Sequence, residues 1–319
     1  MAKEKEIKED KEKEETTEVE KKKEEKETRT EKNSEIIKDI ESERTKERNK
    51  KIFKIFMIIF IPLFILFTIS YICLRYIGNI GITVREYPVY SGRINEELNG
   101  LKIVQFSDLH YGKYSSISDI KKLVNLINKT NPDIVIFTGD LINKDYQLSN
   151  EDKEAIMSEF NSINSTIGKY AIKGEEDNED FNNIFDNSNF IILDNKIEKI
   201  HYKNSIINLI AVDENYNNSE IVLDNNYFTI VAVHKPDLAD QIIEDYNPNM
   251  IVAGHSHNGQ VRLPLIGPVM RKEGSKKYIS SYYQIGDTEL FISGGIGNSK
   301  FNFRLFNHPS INFYRLRSK

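Results

Sequence analysis

Four short groups of residues in this chain have the types and placement to do chemistry: Asp108-Leu109-His110, Gly139-Asp140, a lone His234, and Gly254-His255-Ser256-His257. Each stands where an apolar run stops. Ile103-Val104-Gln105-Phe106 precedes Asp108, Ile134-Val135-Ile136-Phe137 precedes Asp140, Ile230-Val231-Ala232-Val233 precedes His234, and Ile251-Val252-Ala253 precedes His255. Short apolar runs bounded by turn residues read as buried strands. Carboxylates and imidazoles are thus delivered at the carboxyl ends of several strands, where ligand sites form in α/β sheets. Mixed Asp and His donors suit Mn, Fe, Zn or Mg, and there are enough of them for two divalent metal ions. Four of the six histidines fall in these groups, which argues against coincidence. His201 and His308 lie outside the pattern and read as structural or surface residues.

The elements that must position these residues alternate through the first half. Strands are expected at 101–107, 133–138 and 170–173, and helices at 118–130, 151–163 and 179–185. In the helix at 118–130, Ile120, Leu123, Val124 and Ile127 share one face, which suits packing on a sheet. The second half is richer in strands, at 190–193, 197–202, 205–212, 227–233, 250–253, 278–284, 289–292 and 311–316, with one helix at 237–246. An α/β fold of two packed mixed sheets flanked by helices fits this count better than a single sheet.

The chain has 319 residues and a net charge of −5, but not all of it is globular. Residues 1–50 are a low-complexity tail of Lys, Glu, Arg and small polar residues, in which Ile7, Val19, Ile36, Ile37 and Ile40 form no heptad seam. Such a segment is expected to be disordered or only transiently helical. The run 55–74 carries no charge, and about 20 apolar residues are enough to cross a hydrocarbon core. The expected organisation is therefore a tail at 1–50, one transmembrane helix at 51–77 and a large α/β domain at 84–319. Lys38, Arg44, Lys46, Arg48, Lys50, Lys51 and Lys54 precede the span, against Arg75, Arg85 and Arg93 after it. This imbalance predicts a single-pass protein of the cell membrane, with a cytoplasmic amino terminus and an extracytoplasmic domain. The only cysteine, Cys73, lies in the span, so no disulfide forms within the domain. No basic stripe of the kind that nucleic-acid binding needs is present.

Taken together, Ser107-Asp108-Leu109-His110, Thr138-Gly139-Asp140-Leu141, His234-Lys235-Pro236-Asp237 and Gly254-His255-Ser256-His257-Asn258-Gly259-Gln260 resemble the calcineurin-like metallophosphoesterases. More closely, the chain is similar to the membrane-tethered bacterial branch with one amino-terminal transmembrane helix. Gln260-Val261-Arg262-Leu263-Pro264 and Gly294-Gly295-Ile296-Gly297-Asn298-Ser299 add to that likeness. The resemblance implies that Asp108, His110 and His257 hold one metal, that Asp140 bridges to a second, and that His234 and His255 complete the second site. It implies hydrolysis of a phosphomonoester, phosphodiester or lipid-linked pyrophosphate by a water activated between two metals. Expected partners are the membrane and a phosphorylated small molecule or lipid-linked substrate. Relatives near this branch are often assigned to pyrophosphate cleavage of a nucleotide-linked acylated sugar.

One motif departs from the family pattern. Where the family has Gly-Asn-His-Asp, this chain has Gly174-Glu175-Glu176-Asp177. Glu175 takes the place of a metal ligand and Glu176 that of the residue that donates a proton to the leaving group. Glu175 can still coordinate through a carboxylate oxygen. Glu176 can act as a catalytic acid only if its pKa is raised. A local slip would offer Asn178 as a ligand instead, and Asp177 is expected to cap the following helix. Arg304 reads either as a phosphate contact or as a partner of a carboxylate. The alternative to an enzyme is a degenerate member that keeps the fold as a binding or regulatory module.

Overall fold

The computed structural model describes residues 2–213, 223–224, 226–299 and 301–319, with side chains from residue 21 onward. The chain divides into two compact units, 1–70 and 71–319.

The first unit consists of the greater part of helix α1 (Ala2–Arg75). Of the two readings of the tail, disordered or transiently helical, the structure draws the helical one. Glu, Lys and Arg are good helix formers, and Glu25/Arg29 and Glu47/Lys51 stand four apart in the favourable order. Thr28, Thr30 and Thr45 donate their hydroxyls to carbonyls one turn back. In the uncharged part, Phe56, Phe60 and Phe64 stack along one stripe with ring centroids 5.3 and 5.9 Å apart. None of its most apolar window is buried, and apolar side chains are exposed all round it. That is the surface of a helix suited to hydrocarbon.

The second unit holds two six-stranded mixed sheets. In chain order the strands are β1 (Thr83–Ser91), β2 (Lys102–Phe106), β3 (Ile134–Thr138), β4 (Gly168–Ile172), β5 (Ile191–Ile192), β6 (Ile197–Tyr202), β7 (Ser205–Val212), β8 (Phe228–Val233), β9 (Met250–Ala253), β10 (Arg262–Leu263), β11 (Gly267–Pro268), β12 (Tyr282–Ile285), β13 (Thr288–Ile292) and β14 (Ser310–Ser318). The helices are α2 (Ile117–Thr130), α3 (Asn150–Asn161), α4 (Glu179–Asp186) and α5 (Ala239–Tyr246). One sheet runs β1-β14-β2-β3-β4-β5 and the other β12-β13-β9-β8-β7-β6, while β10 and β11 form a separate hairpin. In the first sheet β2, β3, β4 and β5 are mutually parallel; in the second, β7, β8, β9 and β13 are.

Side chains alternate between two cores because successive strand residues point to opposite faces. Ile103, Ile134, Ile136 and Tyr170 meet Leu209, Ile230 and Val252 between the sheets. Val104, Phe106, Val135 and Phe137 point the other way, under α2, α3 and α4. A smaller core packs α5 against the outer face of the second sheet. The order is helix, sheet, sheet, helix, in agreement with the two packed mixed sheets expected from the sequence.

β1 has no counterpart among the expected strands. Pro88 and the charged Arg85 and Glu86 mask its periodicity, and as an edge strand it tolerates the missing donor. The expected strands at 190–193 and 278–284 shorten to β5 and β12.

The outer core of the first sheet depends on one ring. Phe185 is fully buried and touches Phe137, Phe160, Phe181 and Phe190 at centroid distances of 5.0, 5.3, 4.5 and 5.1 Å. Phe185→Ala should therefore cost about 3–5 kcal/mol. Urea denaturation of the detergent-solubilised chain, followed by near-ultraviolet circular dichroism, measures it. A loss below about 1 kcal/mol would show that the site collapses around the gap.

Candidate metal centre

Strand register sets where the candidate residues arrive. Phe106 pairs with Phe137, and Thr138 with Ile172, so β2, β3 and β4 end at one level. In the second sheet Val233 pairs with Ala253. Asp108, Asp140, Gly174 and His255 each lie two residues beyond their strand, and His234 lies one beyond. The backbone then turns through the left-handed region at Asp108, His110, Asp140, His255 and His257, with φ between 44° and 64°. Ordinary side chains adopt this region at a cost.

The structure brings the candidate ligands together in two fully buried groups, each with donor atoms within 4.8 Å of one another, Asp108, His110 and His257, and Asp140, His234 and His255, and a third set that meets the same limit, His110, Asp140 and Glu176, joins them at the rim. In the first, His257 Nε2 lies 3.3 Å from Asp108 Oδ1 and 3.0 Å from His110 Nε2. Asp108 accepts the His255 backbone N–H at 3.0 Å, tying β2 to β9. In the second, Asp140 Oδ2 faces His234 Nε2 at 3.2 Å and His110 Nε2 at 3.8 Å, so it borders both groups.

Three buried atoms of the second group, Asp140 Oδ2, His234 Nε2 and His255 Nδ1, have no hydrogen-bond partner. The opposite atom of each is held. His234 Nδ1–H donates to the Thr138 carbonyl at 2.8 Å, and His255 Nε2–H to the Glu273 carbonyl at 2.6 Å. Asp140 Oδ1 accepts the Glu176 backbone N–H at 3.0 Å. Outer-shell bonds of this kind fix which ring nitrogen faces a cation. Unsatisfied buried acceptors are otherwise costly, so the donor set fits a divalent metal.

The loop Gly174-Glu175-Glu176-Asp177 closes the rim. Gly139 (φ +94°) and Gly174 are where it meets the Asp140 turn: a Cβ on Gly139 would come within 2.7 Å of Gly174, and one on Gly174 would strike the Asp140 carboxylate. Glu175 belongs to neither group; its carboxylate lies 3.4 Å from His255 Nδ1 and 3.2 Å from Lys235 Nζ. Glu176 Oε2 accepts from His110 Nδ1 at 3.1 Å and from the Lys144 N–H at 3.0 Å. Asn178, not Asp177, caps α4, so the slipped ligand assignment has no support. Asp177 instead accepts the backbone N–H groups of Asp140, Leu141 and Gly174 at 2.9, 2.8 and 2.9 Å.

Burial and mutual charge set the electrostatics. Burial raises Asp140, but His234 and His110 outweigh it and hold its carboxyl below the usual range. Burial would lower His234, yet the Asp140 carboxylate beside it holds it up at about 10. Burial takes His257 down to about 3 against the pull of Asp108. Burial and the Asp140 charge push Asp177 up to about 7. At Glu176 burial raises the carboxyl, but the His110 hydrogen bond prevails and the net direction is down. The raised pKa that a proton donor at Glu176 requires is therefore not met in this arrangement.

The roles of several supporting residues gave no signal in the sequence. Gln105 donates to Thr138 Oγ1 at 3.0 Å and to the Ala253 carbonyl at 2.8 Å, joining the sheets beneath the site. Arg304 touches neither carboxylate nor open surface. It is fully buried and donates to the carbonyls of Gly294 and Gly297 and to Asn298 Oδ1, with Nη2 3.3 Å from His257 Nδ1. Burial lowers it to about 9, so it stays charged at neutral pH. Asn307 donates to the His257 carbonyl. Only partners distant in sequence expose these roles. His201 and His308 are exposed and lie outside both groups.

Residues 101–259 match the family model described as calcineurin-like phosphoesterase. The chain is similar to YkuE of Bacillus subtilis (strain 168), an uncharacterized metallophosphoesterase, with 29% identity over 256 residues that cover 76% of this chain and 88% of that protein. It is also similar to the phosphodiesterase YaeI of Escherichia coli (strain K12), with 22% identity, 67% of this chain and 82% of that protein. A shorter likeness, 32% identity over 80 residues, covers 25% of this chain and 23% of the UDP-2,3-diacylglucosamine pyrophosphatase LpxG of Chlamydia muridarum (strain MoPn / Nigg).

The electrostatics predict proton-coupled metal uptake. With a folded pKa of about 10 against 6.5, His234 contributes stability to the metal-free protein that is fully present below pH 6.5 and lost as pH rises toward 10. A cation must displace that proton, so apparent metal affinity should climb roughly tenfold per pH unit through this window. Calorimetric titration in buffers of different protonation enthalpy should find a proton released per ion. A pH-independent affinity would remove His234 from the second group.

Proposed function

From the premise that this chain carries a calcineurin-like phosphoesterase domain, we propose that it is a membrane-anchored, metal-dependent phosphohydrolase acting outside the cytoplasmic membrane. The observation that carries this reading is the convergence of three unpartnered buried atoms, Asp140 Oδ2, His234 Nε2 and His255 Nδ1. Asp108, His110 and His257 hold one divalent ion, Asp140, His234 and His255 the second, and Asp140 serves both. Glu175, beside His255, is a further ligand of the second ion. Oxygen and imidazole donors suit Mn, Fe, Zn or Mg. When bound, two such ions acidify a water and neutralise charge on a phosphoryl group.

The remaining residues bear on the class of substrate. A leaving oxygen of high pKa needs a proton as it departs. Glu176, at the place where a donor is expected, is engaged by His110 Nδ1 and the Lys144 N–H and is held ionised. The site therefore favours leaving groups that need little protonation, such as the phosphate of a pyrophosphate or an aryl oxygen. The names of YaeI and LpxG, a phosphodiesterase and a pyrophosphatase, support the same classes. The uncharged run at 55–74 supports a substrate reached at the membrane, a lipid-linked phosphate or head group. A second reading, a binding or regulatory module without turnover, draws on the Glu175–Lys235 ion pair and on the engagement of Glu176.

Hydrolysis by the purified full-length chain, stripped with chelator and resupplied with Mn, Fe, Zn, Co or Mg, tests the reading. An aryl phosphodiester should be cleaved only with metal. Asp140→Asn, which touches both groups, should lose metal and turnover more completely than His110→Ala. Glu176→His should raise turnover on an alkyl diester by roughly a hundredfold and leave the aryl ester nearly unchanged. No turnover with any metal would favour the binding module. A fall on both esters in Glu176→His would make Glu176 a working residue as it stands.

Topology is checked separately. Protease added to intact cells should shorten the protein from its carboxyl-terminal side, because the excess of Lys and Arg before the span holds the amino terminus inside. Cleavage seen only in opened cells reverses that orientation.

A further inference from the structure

The hairpin β10–β11 presents an apolar surface that the chemistry of the site does not use. Leu265 is fully exposed, Ile266 is 75% exposed, and Val269 and Met270 follow at 53% and 44%. Water is a poor solvent for such a contiguous patch. The base of the hairpin is bonded to the segment 301–305. Arg262 N–H donates to the Leu305 carbonyl, Leu305 N–H to the Gln260 carbonyl, and Gln260 Nε2 to the Phe303 carbonyl. That segment in turn holds the last residues of α1 that belong to the second unit. Arg304 N–H donates to the Leu74 carbonyl at 3.0 Å, and Phe303 meets Tyr71 edge-on at 6.0 Å.

Two observations point to one occupant. The uncharged run ends at Leu74, and Tyr71, Arg75 and Tyr76 are the aromatic and basic residues expected at a membrane surface. The hairpin is thus joined, through 301–305, to Tyr71 and Leu74 at the end of the uncharged run. Charge agrees as well: residues 262–277 hold five Lys or Arg against one Glu, a balance that favours anionic lipid head groups. A groove lined by Ser256, Gln260, Met270, Lys272, Phe301 and Phe303 leads from the hairpin to the residue between His255 and His257.

We propose that the 263–270 hairpin is a second membrane contact, seated in the head-group and upper acyl region of an anionic bilayer beside the metal centre. Its apolar tip is buried among acyl chains while Arg271, Lys272 and Lys276 meet phosphates, as in interfacial anchors. The rim of the site then faces lipid head groups. The proposal rests on reading 55–74 as a span, and the test separates the two.

The chain contains no tryptophan, so each single Trp variant is its own reporter. Leu265→Trp, Ile266→Trp, Phe64→Trp in the span and Ile191→Trp on the exposed edge strand β5 would be reconstituted as full-length protein in phosphatidylcholine–phosphatidylglycerol vesicles. Lipids brominated just below the head group should remove most emission from Leu265→Trp and Ile266→Trp, and these should be shielded from aqueous iodide. Ile191→Trp should show the reverse. Quenching of Phe64→Trp by bromolipid reports the span on its own. Hairpin reporters open to iodide and untouched by bromolipid overturn the proposal, whatever Phe64→Trp does. Hairpin reporters shielded from both quenchers overturn it too, because a protein surface such as a second copy of this chain then covers the patch.

Discussion

Beneath the clustered carboxylates and imidazoles, the side chain of Gln105 spans from one sheet to the other. Its amide donates to Thr138 Oγ1 and to the Ala253 carbonyl, and its carbonyl oxygen accepts from Asn312 Nδ2 and Tyr314 Oη. Thr138 and Ala253 lie two residues before Asp140 and His255, and Gln105 itself is three residues from Asp108. A buried carboxamide with every valence met is specific, whereas one left unpaired costs roughly 1–3 kcal/mol. This single side chain therefore levels the strand ends of both sheets. Donors from β2, β3, β8 and β9 can converge only if those ends stay level.

Convergence carries a conformational cost. Asp108, His110, Asp140, His255 and His257 all take left-handed backbone, a region that costs residues with a Cβ about 1–3 kcal/mol where nothing compensates. Hydrogen bonds from the surroundings offset it. Leu109 and His110 N–H groups donate to the Asp140 carbonyl, His255 N–H donates to Asp108, and Arg304 and Asn307 fix the loop around His257. In the metal-free state the proton on His234, paired with Asp140 at 3.2 Å, occupies the place of a cation. A cation bound there would displace that proton, so metal binding, protonation and fold stability are linked.

Much of this was legible in the sequence, and the reason is physical. The central strands are short apolar runs cut off by Gly, Asp or His, so their ends and the residues they carry could be read directly. The two-sheet architecture followed from the count and order of such runs. The hidden features are those decided at a distance. β1 carries Pro88 and two charges because it is an edge. Gln105 sits inside an apolar run and shows its purpose only through Ala253 and Tyr314, far along the chain. Arg304 read as a phosphate contact or a carboxylate partner and is instead spent on backbone carbonyls. The tail's composition permits both a solvated coil and a charged helix, and the helical alternative is the one the structure draws.

Asp177 gives the rim loop an unusual construction. Its carboxylate binds backbone N–H groups on both sides of the gap, at Gly174 and at Asp140 and Leu141, while Gly174 leaves no room for any side chain. The two ends of the four-residue loop are therefore clamped to the Asp140 turn by the Asp177 carboxylate and the main-chain N–H groups it accepts. The two residues between them contribute nothing to that clamp through their side chains. The loop is a cassette: its frame is indifferent to what positions 175 and 176 display toward the rim. Substitution at those two positions leaves the Asp177 clamp in place, so what is displayed toward the rim can change while the turn that carries Asp140 stays fixed.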